Sequence, residues 1–223
     1  MDTSPATPAA GAAASGSTVH ERVLAAPDYP TFARLLRESG CRRCTLAEDR
    51  THIVVDRGDS RAGIMAVGEA PGEQEDLRGR AFVGRAGRVL DELLRGAGLE
   101  PEADLLIANV VKCRPPGNRV PHAAEAAACL PYLRRQIELA RPHTVLLLGA
   151  TAHRHFVRAS KAVVMEREVG RRFALAAWPG IGFTTLYHPA YLLRSPGRKP
   201  LALRHLEQAR EVLQREGRWP RSG

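Results

Sequence analysis

Four short apolar runs, separated by stretches with helical periodicity, constrain what this chain can fold into. The runs are Gly63–Val67, Leu105–Val110, Thr144–Leu148 and Phe183–Tyr187. Each is continuous rather than alternating, the pattern of a strand buried on both faces of a parallel sheet. Between them, Gly87–Ala97 places Val89, Leu90, Leu93 and Leu94 on one side of a helix, and Ala123–Ala140 does the same with Leu130, Leu133, Ile137 and Leu139. A further helix starts at Thr151 after Gly149-Ala150. Strands alternating with helices imply an α/β fold in a single domain, a central four-stranded parallel sheet flanked by helices. Aromatic residues are 5% of the 223-residue chain, so the core must be mostly aliphatic, which suits such a sheet.

Order is expected to begin near Thr31, with Phe32, Leu35 and Leu36 on a short helix that Gly40 stops. Residues 1–25, rich in Ala, Gly, Ser, Thr and Pro, read as a disordered tail that cannot bury enough surface to offset its ordering entropy. A single folded domain is expected over 26–218, with a flexible end at 219–223. No apolar run approaches the ~20 residues needed to cross a bilayer, and no secretory signal is evident. The reading is a cytoplasmic monomer, in the cytosol or nucleoid of a bacterial-type cell, with no membrane partner.

In open parallel sheets the ligand site lies beyond the carboxyl ends of the strands. Three polar stretches fall there: Gly68–Gly87, Asn109–Pro121 and His188–Pro196. Their convergence argues for one active site. The formal charge of +9 is carried almost wholly by arginine, whose planar fork matches phosphate geometry, so a polyanionic partner is plausible.

Cys41 and Cys44 form a C-x2-C pair, and Cys113 and Cys129 follow with fifteen residues between them. Four thiolates can close a tetrahedral zinc site or hold an iron–sulfur cluster, and spacing alone does not choose.

The segment Gly68-Glu-Ala-Pro-Gly-Glu-Gln-Glu-Asp-Leu-Arg-Gly-Arg-Ala-Phe-Val-Gly-Arg-Ala-Gly87 resembles the first motif of the family 4 uracil-DNA glycosylases. Asn109-Val-Val-Lys-Cys-Arg-Pro-Pro-Gly-Asn-Arg119 and His188-Pro-Ala-Tyr-Leu-Leu-Arg-Ser-Pro196 resemble two further stretches of that family, so the likeness runs from about Phe32 to Pro196. The resemblance implies hydrolysis of the N-glycosidic bond of uracil in DNA, the step that begins base excision repair. It also implies a structural [4Fe–4S] cluster on Cys41, Cys44, Cys113 and Cys129, and no nucleotide cofactor. Uracil-containing DNA is the implied partner.

The residues suit that chemistry. An enzyme that acts on a paired base must extrude it, hold its face and edge, and stabilise charge as the bond breaks. The ring of Phe82 offers a stacking face. Asn109 carries a donor and an acceptor side by side, as does the N3–O4 edge of uracil. His188 can donate to uracil O2 as negative charge develops there. Glu69 is expected to orient water or to contact the base through its backbone, and Glu75 to contact uracil or crowd its C5 position. Family 1 enzymes have an aspartate where this chain has Ala70, which lines the same pocket, so their water-activating carboxylate is missing here. A dissociative, oxocarbenium-like path needs less help from a base. Gly79, Gly84 and Gly87, with Arg85 at a helix start, can cradle a DNA phosphate. Arg119 is a further DNA contact. Tyr191, Leu192 and Leu193 form a wedge loop, and Arg194 grips the backbone.

Three alternatives compete. A covalent uracil-binding relative carries an Arg-Arg-Ile-His-Lys insertion before the fourth cysteine and lacks a cysteine matching Cys113. This chain has Gly117-Asn-Arg-Val-Pro-His122 there, and His122 reads as a surface residue. A metal-stabilised nucleic-acid-binding module would share the charge and the cysteines but not the motifs. A nucleotide-binding enzyme would need a Gly-Lys-Ser/Thr ending or a G-x-G-x-x-G loop, and this loop has neither.

Overall fold

A computed structural model describes residues 18–157 and 164–217. Its sheet has six strands: β1 Arg57–Gly58, β2 Ile64–Gly68, β3 Leu105–Asn109, β4 Thr144–Leu148, β5 Arg172–Ala174 and β6 Gly182–Leu186. They lie in the order β1-β3-β2-β4-β6-β5. The inner four are parallel, and each is buried along its whole length. These are the four strands expected from the sequence, shifted by a residue or less at most ends. The expected count of four is corrected to six. β1 and β5 add antiparallel edges to β3 and β6. Two or three residues with exposed members carry too little apolar signal to mark a strand.

The helices are α1 Val19–Leu24, α2 Tyr29–Glu38, α3 Glu73–Arg78, α4 Arg85–Gly96, α5 Ala123–Ala140, α6 Gly149–Val157, α7 Met165–Glu168, α8 Pro189–Arg194 and α9 Lys199–Arg215. Alternate strand residues feed two cores. Met65, Val67, Leu106, Val145 and Phe183 pack with Phe32, Leu36, Leu133 and Ile137 from α2 and α5. Ile64, Ala66, Ile107, Leu146 and Leu186 pack with Leu90, Leu94, Leu192 and Leu206 from α4, α8 and α9. Both faces of the sheet are therefore covered, which is why its strands read as unbroken apolar runs.

The proposed tail boundary moves. Residues 19–24 are helical, closed by a capping box in which Glu21 N–H donates to Thr18 Oγ1 at 3.2 Å and Thr18 N–H donates to Glu21 Oε2 at 2.7 Å. Val23 is buried in the core that holds α2 and α5. The rest of the expected tail, 1–17, and the C-terminal end from 218 lie outside the described residues. Order also starts before Thr31, because Asp28 caps α2 by accepting from Thr31 N–H. No helix among the described residues is long and apolar enough to cross a membrane.

Candidate active site

Asn109 ends β3, 1% exposed, in register with Gly68 at the end of β2. A Cβ added to Gly68 would lie 2.4 Å from Phe82 Cζ and 2.6 Å from Asn109 Oδ1. The ring and the amide therefore close over the same glycine, and only glycine leaves room for both. Asn109 Oδ1 is buried and has no hydrogen-bond partner among the described residues. Leaving such an acceptor unsatisfied costs about 1–3 kcal/mol, which a ligand donor would recover.

Phe82 holds φ 53°, a left-handed conformation that costs a non-glycine residue about 1–3 kcal/mol and persists only where its surroundings fix it. Two contacts do so. Arg57 Nη1 donates to the Phe82 carbonyl at 2.8 Å, and Arg57 is itself buried and paired with Asp91. A Cβ on Gly87 would lie 1.7 Å from the Phe82 carbonyl oxygen, so that residue must be glycine for the backbone to pass. The strain aims the ring at the space over Gly68.

His188 caps α8, and its Nδ1 accepts from Ala190 N–H at 3.2 Å. An Nδ1 that accepts leaves the ring proton on Nε2. Burial, helped by the Arg194 charge, pushes the His188 pKa down to about 4. At neutral pH the ring is thus a neutral imidazole with one donor. It stands 6.0 Å from the Phe82 ring, centroid to centroid, tilted by 40°.

Glu75 spends both carboxylate oxygens on the loop backbone. Oε2 accepts from Gly72 N–H at 3.1 Å and Oε1 from Gly84 N–H at 2.6 Å, which ties the start of α3 to the start of α4. The Glu69 carbonyl accepts from Val111 N–H at 3.2 Å, and its carboxylate has no partner among the described residues. Ala70 packs, half-buried, on the core of the α2 side.

The four cysteines line one open recess together with Ile53, Ala128 and Tyr132. Burial pushes the Cys113 thiol up to about 12, Cys129 to about 11, and Cys44 upward as well. Buried thiols of this kind become thiolates only when positive charge compensates them. Arg50 supplies some of it: its Nη1 stands 3.7 Å from Cys113 Sγ and donates to the Cys41 carbonyl at 2.6 Å. Lys112 also lines the recess. No three His, Cys, Asp or Glu side chains among the described residues are drawn together as a single-ion site. Four sulfurs around one recess are a donor set that suits a soft metal ion or an iron–sulfur cluster.

The family model of the uracil DNA glycosylase superfamily matches residues 55–214, which include Gly68, Phe82, Asn109 and His188. The chain belongs to that superfamily. Within it, the chain is 42% identical to a type-4 uracil-DNA glycosylase of Thermotoga maritima over 183 residues, 81% of this chain and 93% of the relative. It is 39% identical to a type-4 uracil-DNA glycosylase of Saccharolobus solfataricus over 179 residues, covering 78% and 82% of the two chains. A type-4 uracil-DNA glycosylase of Archaeoglobus fulgidus is 40% identical over 159 residues, 70% of this chain and 79% of the relative.

In this superfamily member the other expected contact residues divide. Arg85 is exposed on the first turn of α4, where Gly84 caps the helix. α4 packs against α8, the stretch expected as a wedge loop, which is instead a short helix started by Pro189. Leu193 is 43% exposed and Arg194 is exposed beside it, whereas Leu192 is buried in the core and the Tyr191 ring packs, tilted, against Tyr187 at 5.2 Å between centroids. Of the expected wedge, Leu193 is the apolar group that faces outward. Arg119 closes its fork on Glu125 at 2.8 and 2.7 Å, rather than standing open toward a phosphate. His122 is exposed at the start of α5.

Several residues that shape the site were not anticipated. Glu125 accepts from Arg119, from His122 N–H and from Thr45 Oγ1, and so joins the Cys41–Cys44 turn to the start of α5. The Arg119 hydrogen bond leads in holding its carboxyl down at about 2. Asp76 accepts from the Thr51 and His52 amides and fixes α3 to the preceding loop. Arg57 and Lys112 hold backbone carbonyls of Phe82 and Asn109. Only Lys112 left a trace in the sequence, as one of three lysines in an arginine-rich chain, placed between an apolar pair and a cysteine.

Proposed function

We propose that this chain is a uracil-DNA glycosylase that hydrolyses the bond between uracil and deoxyribose and leaves an abasic site. The observation that carries the reading is the buried, unpartnered Oδ1 of Asn109 beside the strained Phe82 ring. A uracil flipped into that space stacks on Phe82. Its N3–H donates to Asn109 Oδ1, and Asn109 Nδ2 donates to O4. Cytosine presents an acceptor at N3 and a donor at C4, so the same amide meets like with like and rejects it. As the bond from N1 to C1′ breaks, its electron pair goes to the base and charge collects at O2. The Nε2–H of neutral His188 donates there, an interaction stronger in the transition state than in the ground state. Water attacks the oxocarbenium-like C1′; its hydroxyl stays on the sugar and its proton ends on the departing base. Glu69, whose carboxylate is uncommitted, orients that water in this reading. Glu75 acts by fixing the loop that walls the base. Gly84, Arg85, Gly87, Leu193 and Arg194 meet the DNA. The same reading has the protein act as a monomer on DNA in the cytosol.

Treatment of labelled oligonucleotides, single- and double-stranded, should release free uracil and give alkali-labile strand breaks at uracil, with none at thymine or cytosine. Intact uracil strands after incubation with iron-loaded protein would overturn the reading.

Cys41, Cys44, Cys113 and Cys129 hold a [4Fe–4S] cluster in the same reading. All four cysteines line one recess, and the buried thiols of Cys113 and Cys129 become thiolates only against compensating positive charge. With all its positions taken by cysteine, such a cluster supplies structure, pinning α2 and the 113–129 segment to the base pocket. Cys113→Ser should lose the brown absorbance near 400 nm and lower the thermal midpoint, since a four-ligand site stabilises the fold it joins. Stoichiometric zinc without iron in anaerobically purified wild type would refute this assignment.

A further inference from the structure

Lys112 is 1% exposed, and burying an ammonium is costly unless its donors are satisfied and its charge does something. Its Nζ donates to the Asn109 carbonyl at 2.7 Å and to Gln136 Oε1. Asn109 is the last residue of β3, so this carbonyl lies where the strand ends. Gln136 is in turn held in place. Its Nε2 donates to Tyr29 Oη at 2.7 Å and to the Val55 carbonyl at 3.1 Å. Tyr29 Oη donates to Asp56 Oδ2 at 2.8 Å, and Asp56 pairs with Arg37. A continuous buried chain thus runs from α2 through α5 to the backbone of the residue whose side-chain acceptor is unpartnered.

From this we infer that Lys112 is a positioning residue: anchored by Gln136, it clamps the backbone of Asn109 and so fixes where the Asn109 amide meets the base. The inference rests on the base-reading role given to Asn109 above. Lys112 touches neither base nor sugar. Its effect passes through one residue, so it should vanish when that residue's amide is gone. Ordinary fold stabilisation by Lys112 would not vanish in that way. A misplacement of about 1 Å at a reacting centre can cost on the order of 100-fold in rate.

The test is a double-mutant cycle read in single-turnover rates and in the Michaelis constant for uracil DNA, using iron-loaded full chain. Lys112→Met keeps the stem and removes the clamp. It should slow uracil release roughly 10- to 100-fold, with the Michaelis constant within about threefold of wild type. In an Asn109→Ala background the same change should alter the rate by less than about threefold. A Lys112→Met rate near wild type, or the full loss repeated in the Asn109→Ala background, would overturn the inference. If Lys112→Met loses iron or its cooperative thermal transition, the cycle of Gln136→Met with Asn109→Ala decides instead. A several-fold loss confined to the Asn109 background supports the clamp, and no loss or an additive one overturns it. Wild-type protein that releases no uracil would sink the glycosylase reading and this inference with it. Active wild type with an unaffected Lys112→Met sinks only this one.

Discussion

Asn109→Asp should slow uracil release by roughly two to four decades, the scale of removing a key contact to the reacting base. The change is nearly isosteric, so the Phe82 ring and the Gly68 backbone keep their places. What changes is charge and donor count. The aspartate keeps an acceptor for uracil N3–H but has no amide to donate to O4. Ionised, it places a negative oxygen against the O4 that gains electron density as the bond breaks. The site is 1% exposed, so water does little to screen that repulsion. Protonation would relieve it at the cost of raising the carboxyl pKa, which burial favours. Single-turnover rates on a uracil oligonucleotide, wild type against mutant, measure the effect. A mutant within a few-fold of wild type would mean that Asn109 does not read the base, and the unpartnered Oδ1 would need another explanation.

The parallel sheet was legible because each inner strand is buried on both faces. Ile64–Gly68 and Thr144–Leu148 had to be apolar throughout, and a continuous run is visible without alignment. The edges were not legible. β1 is two residues long, and its Arg57 faces inward to hold Phe82, so the most consequential residue of that strand looks like surface charge. The first helix was missed for a different reason. Its composition reads as low complexity, yet Thr18-Val-His-Glu21 carries the capping-box spacing that marks a helix start. At the site, the residues proposed to touch the base lie at strand ends or in the segments just after them, where position and chemistry agree. Those that hold them do not. Gln136 and Glu125 sit on α5 with nothing in the helix pattern to mark them, and their partners Tyr29, Lys112 and Thr45 are far away in sequence. Long-range pairing of that kind leaves no periodic signal.

The remaining large effect separates grip from chemistry on α8. His188 and Arg194 stand at opposite ends of this six-residue helix, one near the Phe82 ring and one exposed. Arg194→Ala should weaken binding to all DNA sequences and flatten the log–log salt dependence by about one unit, because one phosphate contact and its released counterion are lost. Its effect on the single-turnover rate should be smaller than its effect on the apparent Michaelis constant. His188→Ala should do the reverse, leaving DNA binding near wild type while the single-turnover rate falls by roughly two to three decades, as for losing one oxyanion donor. The protonation state adds a second signature. With its pKa pushed down to about 4, His188 stays neutral well below the usual histidine range. The wild-type single-turnover rate should therefore show no break near pH 6.5, and should fall only as the pH approaches the depressed value. Protonation of Nδ1 then ends its acceptance from Ala190 N–H and disturbs the cap that aims the ring. Stability follows the same sign. Between about pH 6.5 and 4 the unfolded chain takes up a proton at this histidine that the folded chain does not, so acidification through that window favours unfolding. Binding titrations at several salt concentrations, with single-turnover rates across pH, test both residues together. If His188→Ala abolished binding but left the rate of bound complex intact, the leaving-group role would be wrong. His188 would then be the cap that anchors α8 against the body, and the donor to uracil O2 would have to be sought elsewhere in the pocket.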